Sequence, residues 1–152
     1  MTVERIFIRQ SSVGPPNEHE CVEVVAGAGI KGDRYFGRHD EPGQNITLIE
    51  AEEIESFISE YQRSPDLSVS NRNIVTRGVR LNDLVGREFM IGSIRLRGVE
   101  LCEPCLGLGN ALASPELPAA QVVKRLLHKA GLRADVLSSG SLARGAKITN
   151  AA

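Results

Sequence analysis

The sequence lacks an excess of either charge. Its 152 residues include 18 Lys and Arg against 19 Asp and Glu, which gives a formal net charge of −1. A protein that coats nucleic acid by bulk charge is therefore excluded, because such binding needs many basic groups that release counterions. Long hydrophobic runs are also missing, and none approaches the ~18 residues that a membrane-spanning helix needs. We expect neither nucleic acid nor a membrane as a partner.

Cysteine is scarce as well. The three cysteines form an odd set, which makes a poor disulfide framework and suits a reducing compartment. The first residues show no basic segment followed by an apolar one, as a secretory signal would. These features predict a cytoplasmic protein. No linker divides the sequence, so we expect a single domain over residues 1–152.

Short strands are the commonest predicted element. Fifteen glycines punctuate runs of Val, Ile and Leu at intervals of about ten residues. Gly98 interrupts the alternation of one strand, which predicts a bulge there. Because no regular strand–helix–strand alternation appears, we expect a mostly β fold, a largely antiparallel barrel with two or three helices. The predicted strands cover residues 3–9, 20–26, 45–49, 73–76, 87–91, 93–101, 132–138 and 141–149.

Two segments have helical periodicity. The first helix begins at about Glu50, and Pro118 opens the second, with Gly131 expected just after its end. Each has one apolar stripe at helical spacing. The stripes consist of Ile54, Phe57, Ile58 and Tyr61 in the first helix and Val122, Val123, Leu126 and Leu127 in the second.

The segment 102–105, Cys-Glu-Pro-Cys, follows a predicted strand and delivers two thiols to the rim of the sheet. A thiolate is the reactive form of cysteine and also binds soft metals. A thioredoxin-like redox pair would place its first cysteine at a helix N-terminus. Here Gly107 and Gly109 predict a poor helix, and Glu100 and Glu103 would disfavour a thiolate. The pattern therefore argues against a redox pair.

Other roles for these thiols are a structural zinc site, a single ligand and plain packing. Structural zinc needs four ligands, usually from a second pair, and no such pair stands at ligand spacing. One cysteine could instead serve as ligand or acceptor for a soft metal or for sulfur, or both could be buried in a turn. The residues left for a zinc site are His19, Cys21, His39 and His128.

Candidate anion contacts occur in three places. Residues 29–34, Gly-Ile-Lys-Gly-Asp-Arg, lie in a glycine-rich loop of the kind that is often functional. Their glycines allow close backbone approach to an anion, and Lys31 and Arg34 add charge. The order of residues in a P-loop is absent, and a solvated surface turn is the alternative. Residues 71–73, Asn-Arg-Asn, could contact a heterocycle or cap a turn, and Arg133 begins a predicted strand.

Six segments, taken in order over about residues 20–149, resemble a known family. They are Gly29–Gly37, Gln44–Ala51, Asn71–Thr76, Leu81–Gly86, Cys102–Cys105 and Gly131–Ala134. Together they are similar to the MOSC domain, named for the C-terminal domain of molybdenum cofactor sulfurase. The resemblance implies a β-barrel that works with the molybdenum cofactor, a molybdenum-bearing pterin.

The resemblance also implies roles for individual residues. Relatives that reduce N-hydroxylated compounds use the second cysteine of such a segment as metal ligand, which corresponds to Cys105, with Cys102 as an accessory thiol. By the same resemblance, Lys31, Arg34, Arg72 and Arg133 would hold the pterin phosphate, and Asp33 and Asn73 would contact the pterin or orient those groups. The substrate would be a small molecule, and the electron or sulfur donor a separate protein.

The sequence departs from the family pattern at three places. Tyr35 stands where the family often has His, Asn71 where it often has Arg, and residues 145–146 are Gly-Ala where Gly-Asp is common. Two alternatives to an enzyme remain: a carrier that holds persulfide or cofactor on Cys105 without turnover, and a non-catalytic domain with inert cysteines. The family is also associated with pyridoxal phosphate through fusion partners, but no lysine here has a recognisable Schiff-base context.

Overall fold

The computed structural model describes residues 1–151 and consists mainly of strands, as expected. Its eleven strands are β1 (Thr2–Ile8), β2 (Asn17–Glu18), β3 (Cys21–Val25), β4 (Gly29–Ile30), β5 (Ile46–Glu50), β6 (Ile74–Arg77), β7 (Glu88–Ile91), β8 (Ile94–Leu101), β9 (Leu132–Val136), β10 (Gly140–Ala143) and β11 (Ile148–Asn150). The helices are α1 (Ala51–Glu60), α2 (Leu106–Leu112), α3 (Ala119–Leu126) and a short 3₁₀ helix (Leu81–Leu84). Within residues 1–151, none of these helices has the length and apolar character required to cross a membrane.

Eight strands form one sheet in the order β11-β7-β8-β9-β5-β6-β1-β2. Every neighbouring pair is antiparallel except β5 and β6, which run parallel. Parallel neighbours need a crossover connection, and α1 lies in that connection. The largely antiparallel sheet is the architecture predicted from the sequence.

The sheet curls until its two sides meet. The N–H of Ile148 donates to the carbonyl of Met1 at 2.9 Å, and the N–H of Val3 donates to the carbonyl of Ala146 at 3.0 Å. The N–H of Gly145 returns a bond to the carbonyl of Val3 at 2.8 Å. Residues 145–148 therefore join the β1 side of the sheet to its β11 side, which confirms the predicted barrel.

A second, three-stranded sheet in the order β10-β3-β4 covers the barrel core. Val22 and Val24 of β3 point inward, while Cys21 and Glu23, which alternate with them, are exposed. The inward side chains join one apolar cluster with the barrel strands. Its fully buried members include Ile6, Leu48, Ile74, Phe89, Leu96 and Leu132.

The three α-helices share a smaller apolar cluster beside the barrel. Helix α1 begins where predicted and buries Ile54 and Phe57 of the predicted stripe, whose last member, Tyr61, is its C-cap. Helix α3 follows Pro118 as predicted and buries Val122 and Leu126, but it ends at Leu126, so Leu127 is exposed rather than part of the stripe.

Helix α2 was not predicted, because two of its seven residues are glycines. Tertiary packing explains it. A Cβ at Gly109 would lie 2.8 Å from the carbonyl oxygen of Ala119 and 2.9 Å from a methyl of Val123. The missing side chain therefore lets α2 and α3 approach closely, and burial of Leu108 and Leu112 outweighs the low helix propensity of glycine.

The position of Gly131 and the last predicted strand differ from the prediction, whereas the bulge in β8 agrees with it. Gly131 does not follow a helix but precedes β9, with φ +110° and the carbonyl of Leu48 too close for any side chain. The predicted strand 141–149 divides into β10 and β11 at a turn that contains Gly145, with φ +86°. The bulge in β8 falls between Gly98 and Glu100, as expected.

Candidate functional site

A buried carboxylate–amide pair lies at the centre of the candidate site. Asn73, at the start of β6, donates from Nδ2 to Asp33 Oδ1 and to the carbonyl of Phe7, both at 3.2 Å. Its Oδ1 accepts the N–H of Thr47 at 3.1 Å. Asp33 also accepts the N–H of Tyr35 at 3.2 Å. The pair thus fastens the glycine-rich loop to β1, β5 and β6, and most of its polar atoms are satisfied internally.

Two hollows adjoin this pair. The larger, here called the main cleft, has a volume of about 220 Å³ and is lined by the loop 43–47, Tyr35, Arg38, Asn73 and Arg133. The smaller, here called the side hollow, is lined by residues from β1, the glycine-rich loop and the segment 71–73. The residues common to both are Tyr35, Thr47 and Asn73.

Arginine is the prevailing charge around both hollows. Arg9 donates from Nε to the carbonyl of Gly14 and from a terminal nitrogen to the carbonyl of Ser12, both at 2.9 Å, and it forms no ion pair within 4.0 Å among residues 1–151. Burial, followed by the like charge of Arg34, lowers the pKa of Arg9. The arginines that line the two hollows are Arg9, Arg34, Arg38, Arg72 and Arg133.

Tyr35 holds two of these arginines against one ring. The guanidinium carbon of Arg34 lies 4.5 Å from the ring centroid, and that of Arg38 lies 5.3 Å from it. Arg34 also donates to the Tyr35 hydroxyl at 3.1 Å. Because the ring attracts both cations, it offsets part of their mutual repulsion, by about 0.5–1 kcal/mol for each contact at an exposed site.

Arg72 connects the cleft region to the cysteine segment. Its Nε donates to the carbonyl of Ala130 at 2.9 Å, and one terminal nitrogen donates to the carbonyl of Cys102 at 3.2 Å. The N–H of Cys102 in turn donates to the carbonyl of Gly131 at 2.8 Å. The guanidinium therefore bridges two backbone segments and brings its charge next to the thiols.

The two thiols of the segment 102–105 differ in exposure. Cys102 is buried, with 3% of its surface exposed. Cys105 is exposed and occupies the N-cap position of α2. Only Cys105 can therefore meet a ligand or a partner without a change of structure.

The pKa of the Cys105 thiol is lowered, chiefly because the backbone N–H of Leu108 faces the sulfur. The N–H of Gly107 and the charge of Arg72 act in the same direction, while burial opposes them. The sulfur makes no full capping hydrogen bond, so the effect is that of nearby dipoles and charge. The expectation that neighbouring glutamates would disfavour the thiolate is wrong, because they face other groups. Glu103 lies 3.0 Å from His128 Nδ1, and Glu100 lies 3.9 Å from Arg133 Nε.

Not every candidate from the sequence lies at the hollows. Asp33, Arg34, Arg72 and Asn73 line the side hollow, and Asn73 and Arg133 line the main cleft. Lys31 is exposed and lines neither, and Cys105 lies beyond Arg72 rather than in a hollow wall.

Several residues of the two hollows received no role from the sequence, among them Arg9, Tyr35, Arg38 and Gln44. Arg9 lies in a segment that gave no signal, and Gln44 belongs to a segment that was recognised without a role. Tyr35 lies between Arg34 and Arg38 in the sequence. An aromatic residue so close to two arginines was the available signal that Tyr35 and Arg38 belong to the site.

Comparison with known proteins agrees with the fold. The YuaD protein from Bacillus subtilis superposes with a TM-score of 0.82 at 20% identity, over 97% of this chain and 93% of that one. YiiM from Geobacillus stearothermophilus gives 0.73 at 17% identity, over 99% and 75%, and YiiM from Escherichia coli gives 0.69 at 14% identity, over 100% and 70%. A search of curated proteins finds no significant match.

The sequence itself decides the family. The model of the MOSC domain matches residues 36–149, which include the main-cleft loop, the segment 71–73, both thiols of the segment 102–105 and Arg133. Since that match spans most of the chain, the protein belongs to the MOSC domain family, which is linked to molybdenum cofactor binding.

Proposed function

We propose that this protein binds a molybdenum-bearing pterin cofactor beside the arginine-lined hollows, with the Cys105 thiolate as the protein ligand to the metal. The observation that carries the proposal is the excess of positive charge at the two hollows. Five arginines line them, while Asp33 is the only carboxylate among their lining residues. The protein as a whole has a net charge of −1, so this concentration of cations is local.

Uncompensated arginines are unfavourable in the free protein, because like charges repel and partial burial removes water. Arg9 and Arg72 bond to backbone carbonyls, which orient a guanidinium without cancelling its charge. A phosphate accepts hydrogen bonds from arginine in a planar, bidentate fashion. The arginines at these hollows are therefore suited to hold the phosphate arm of an anionic cofactor.

The cysteine segment fits the metal end of such a cofactor. No group of three or more His, Cys, Asp or Glu side chains that could hold a metal ion occurs within residues 1–151. A cofactor that brings its own metal needs only one protein donor, and a soft thiolate suits molybdenum. Cys105 is exposed and its pKa is lowered, so the anionic form that coordinates metals is favoured.

When bound, the cofactor would supply two-electron oxygen-transfer chemistry. Reduction of an N-hydroxylated compound by two electrons and two protons would yield the amine or amidine and water, with electrons from a separate donor protein. The residues of this chain would bind and orient. Arg72 would hold the thiol segment and balance the thiolate charge, and the pair Asp33–Asn73 would fix the loop that carries Arg34.

The test is the molybdenum and pterin content of protein purified from a cofactor-replete host. We expect near-stoichiometric metal in the wild type and its loss in Cys105→Ser. Cys21→Ser is the matched control, because Cys21 is also an exposed thiol but lies in β3, away from the site. Equal metal in Cys105→Ser and Cys21→Ser would rule out Cys105 as the ligand.

The exposure of Cys105 also favours a second candidate function, a carrier that holds sulfur as a persulfide on this thiol without turnover. A thiolate of lowered pKa is suited to accepting sulfur from a donor protein. Mass spectrometry of protein incubated with a persulfide donor would then show an added sulfur on Cys105 and none on Cys102. Persulfide on Cys105 in protein that contains no molybdenum would favour the carrier over the cofactor enzyme.

A further inference from the structure

The main cleft contains an arginine that the resemblance did not assign, Arg38. Arg133, which comes from a different element, the strand β9, lines the same cleft. No carboxylate lies within 4.0 Å of the Arg38 guanidinium in the part of the chain that is described. Arg133 has only Glu100, at 3.9 Å and with both side chains largely exposed. An ion pair of this kind contributes little, so both guanidiniums are free to bind.

Arg38 is held in place before any ligand arrives. Its N–H donates to the carbonyl of Tyr35 at 3.0 Å, and its carbonyl accepts Nδ2 of Asn45 at 3.2 Å. Asn45 is buried and its Oδ1 accepts the N–H of Val136 at 3.0 Å, which ties the turn to β9. The guanidinium then rests on the Tyr35 ring. Such preorganisation reduces the entropy cost of binding.

The opposite part of the cleft is also fixed by packing. The N–H of Gly43 donates to Asp135 Oδ1 at 2.7 Å. A side chain at Gly43 would lie 3.2 Å from the Cβ of Arg133, so glycine allows the loop to pack against the strand that carries Arg133. Gln44 lines the cleft and accepts the N–H of Asp40 through its Oε1 at 3.0 Å, so its NH₂ group remains available as a donor.

We propose that the main cleft binds the phosphate or carboxylate group of a small anionic molecule between Arg38 and Arg133, with Gln44 as an additional donor. The volume of about 220 Å³ accommodates the charged group and a small part of the molecule that carries it. Tyr35 is the one aromatic residue in the lining of this cleft, and Arg34 and Arg38 already contact its ring. The lining therefore offers chiefly cationic and amide groups, which suit recognition of charge.

The anionic group has two sources, the phosphate arm of the proposed cofactor or an acidic substrate. In either case the inference deepens the proposed function by naming what this cleft recognises. Its direct test does not need the cofactor, because an empty cleft would bind inorganic phosphate alone. Failure of cofactor binding would therefore leave the result of the phosphate titration unaffected.

Calorimetric titration of cofactor-free protein with inorganic phosphate is the experiment. We expect saturable binding at one site, weakened about tenfold to hundredfold in Arg38→Gln and in Arg133→Gln, because each loses a charge-assisted hydrogen bond. Arg97→Gln is the matched control, since Arg97 is exposed on the outside of β8 and its removal changes the net charge equally. Thermal unfolding verifies that each variant is folded, and Arg38→Lys should restore part of the affinity.

The outcomes are distinct. Absence of saturable binding, or equal weakening in all three glutamine variants, would overturn the proposal. Site-specific weakening supports it, and repetition with cofactor-loaded protein then identifies the source. Phosphate binding that vanishes on loading assigns the cleft to the phosphate arm of the cofactor, and binding that persists assigns it to an acidic substrate.

Discussion

The packing of α2 against α3 provides a sharp test of how the Cys105 segment is held. Helix α2 contains Gly107 and Gly109 in the same short helix. A Cβ at Gly109 would lie 2.8 Å from the backbone oxygen of Ala119, which cannot move without shifting α3. A Cβ at Gly107 would have only the Cys105 sulfur near it, at an ordinary contact distance of 3.6 Å. Substitution by alanine should therefore affect the stability of the protein differently at these two positions.

The magnitudes follow from two opposing effects. Alanine is favoured over glycine within a helix by about 0.8–1 kcal/mol, and overpacking of a tight contact costs about 1–3 kcal/mol. Gly107→Ala receives only the first effect, so its free energy of unfolding should rise by up to about 1 kcal/mol. Gly109→Ala receives both and should lie about 1–3 kcal/mol below Gly107→Ala, because the propensity gain is common to the two variants.

Urea unfolding monitored by circular dichroism measures the free energy of unfolding of each variant. Iodoacetamide alkylation across pH measures how the reactivity of the Cys105 thiol depends on pH. If Gly109→Ala displaces α2, the amides of Gly107 and Leu108 no longer face the sulfur as they do now, and the midpoint of alkylation should move to higher pH. Equal or greater stability of Gly109→Ala relative to Gly107→Ala would refute the steric argument. An unchanged alkylation midpoint in a destabilised Gly109→Ala would refute the link to the thiol.

Three further predictions concern titration and buried polarity. In native protein Cys105 should be alkylated at lower pH than in the urea-unfolded chain, because its folded-state pKa is lowered. Buried Cys102 should react only on unfolding. Identical pH profiles of Cys105 alkylation in the native and unfolded protein would contradict the first expectation. Asn73→Ala should lower the free energy of unfolding by about 2–4 kcal/mol, because Asp33 and other buried groups lose their hydrogen-bond partner, and a urea titration showing a loss below about 1 kcal/mol would mean that they find new partners. Glu50→Gln should stabilise the protein near pH 7, because burial raises the pKa of Glu50, so the charged wild type bears a desolvation cost above its folded pKa that disappears as pH falls toward the unfolded pKa. Thermal unfolding of both proteins from about pH 7 to pH 4 should show this gain shrinking, and a constant gain would exclude the carboxyl as its cause.

Local signals were sufficient for much of the fold. The stripe that includes Ile54 and Phe57 predicts α1, because apolar side chains at this spacing share one face only when the segment is helical. Gly98 marks the bulge of β8 because it breaks the alternation visible in the sequence itself. Helix α2 could not be predicted in this way, since Gly109 is favourable only when α3 lies against it.

The candidate site was predictable in composition but not in arrangement. Asp33 and Asn73 were selected as contacts for a ligand, yet they are bonded to each other, a pairing between positions 40 residues apart that no local pattern encodes. Arg38 was overlooked because its position depends on the buried side chain of Asn45 and on the path of a long loop. Cys105 was recognised, but the direction in which its pKa shifts depends on α2, a helix that the sequence did not predict.

The joining of β1 to residues 145–148 has a consequence for how the edges of the sheet are protected. A curled sheet that remained open would present two rows of unpaired N–H and C=O groups, one beside β1 and one beside β7, and such rows are templates for pairing with another chain. One short segment covers both, because β11 pairs with β7 while the turn before it bonds to β1. Residues 145–150 thus protect both edges together, and their detachment would expose both edges at once and would also withdraw Ile148 from the apolar core.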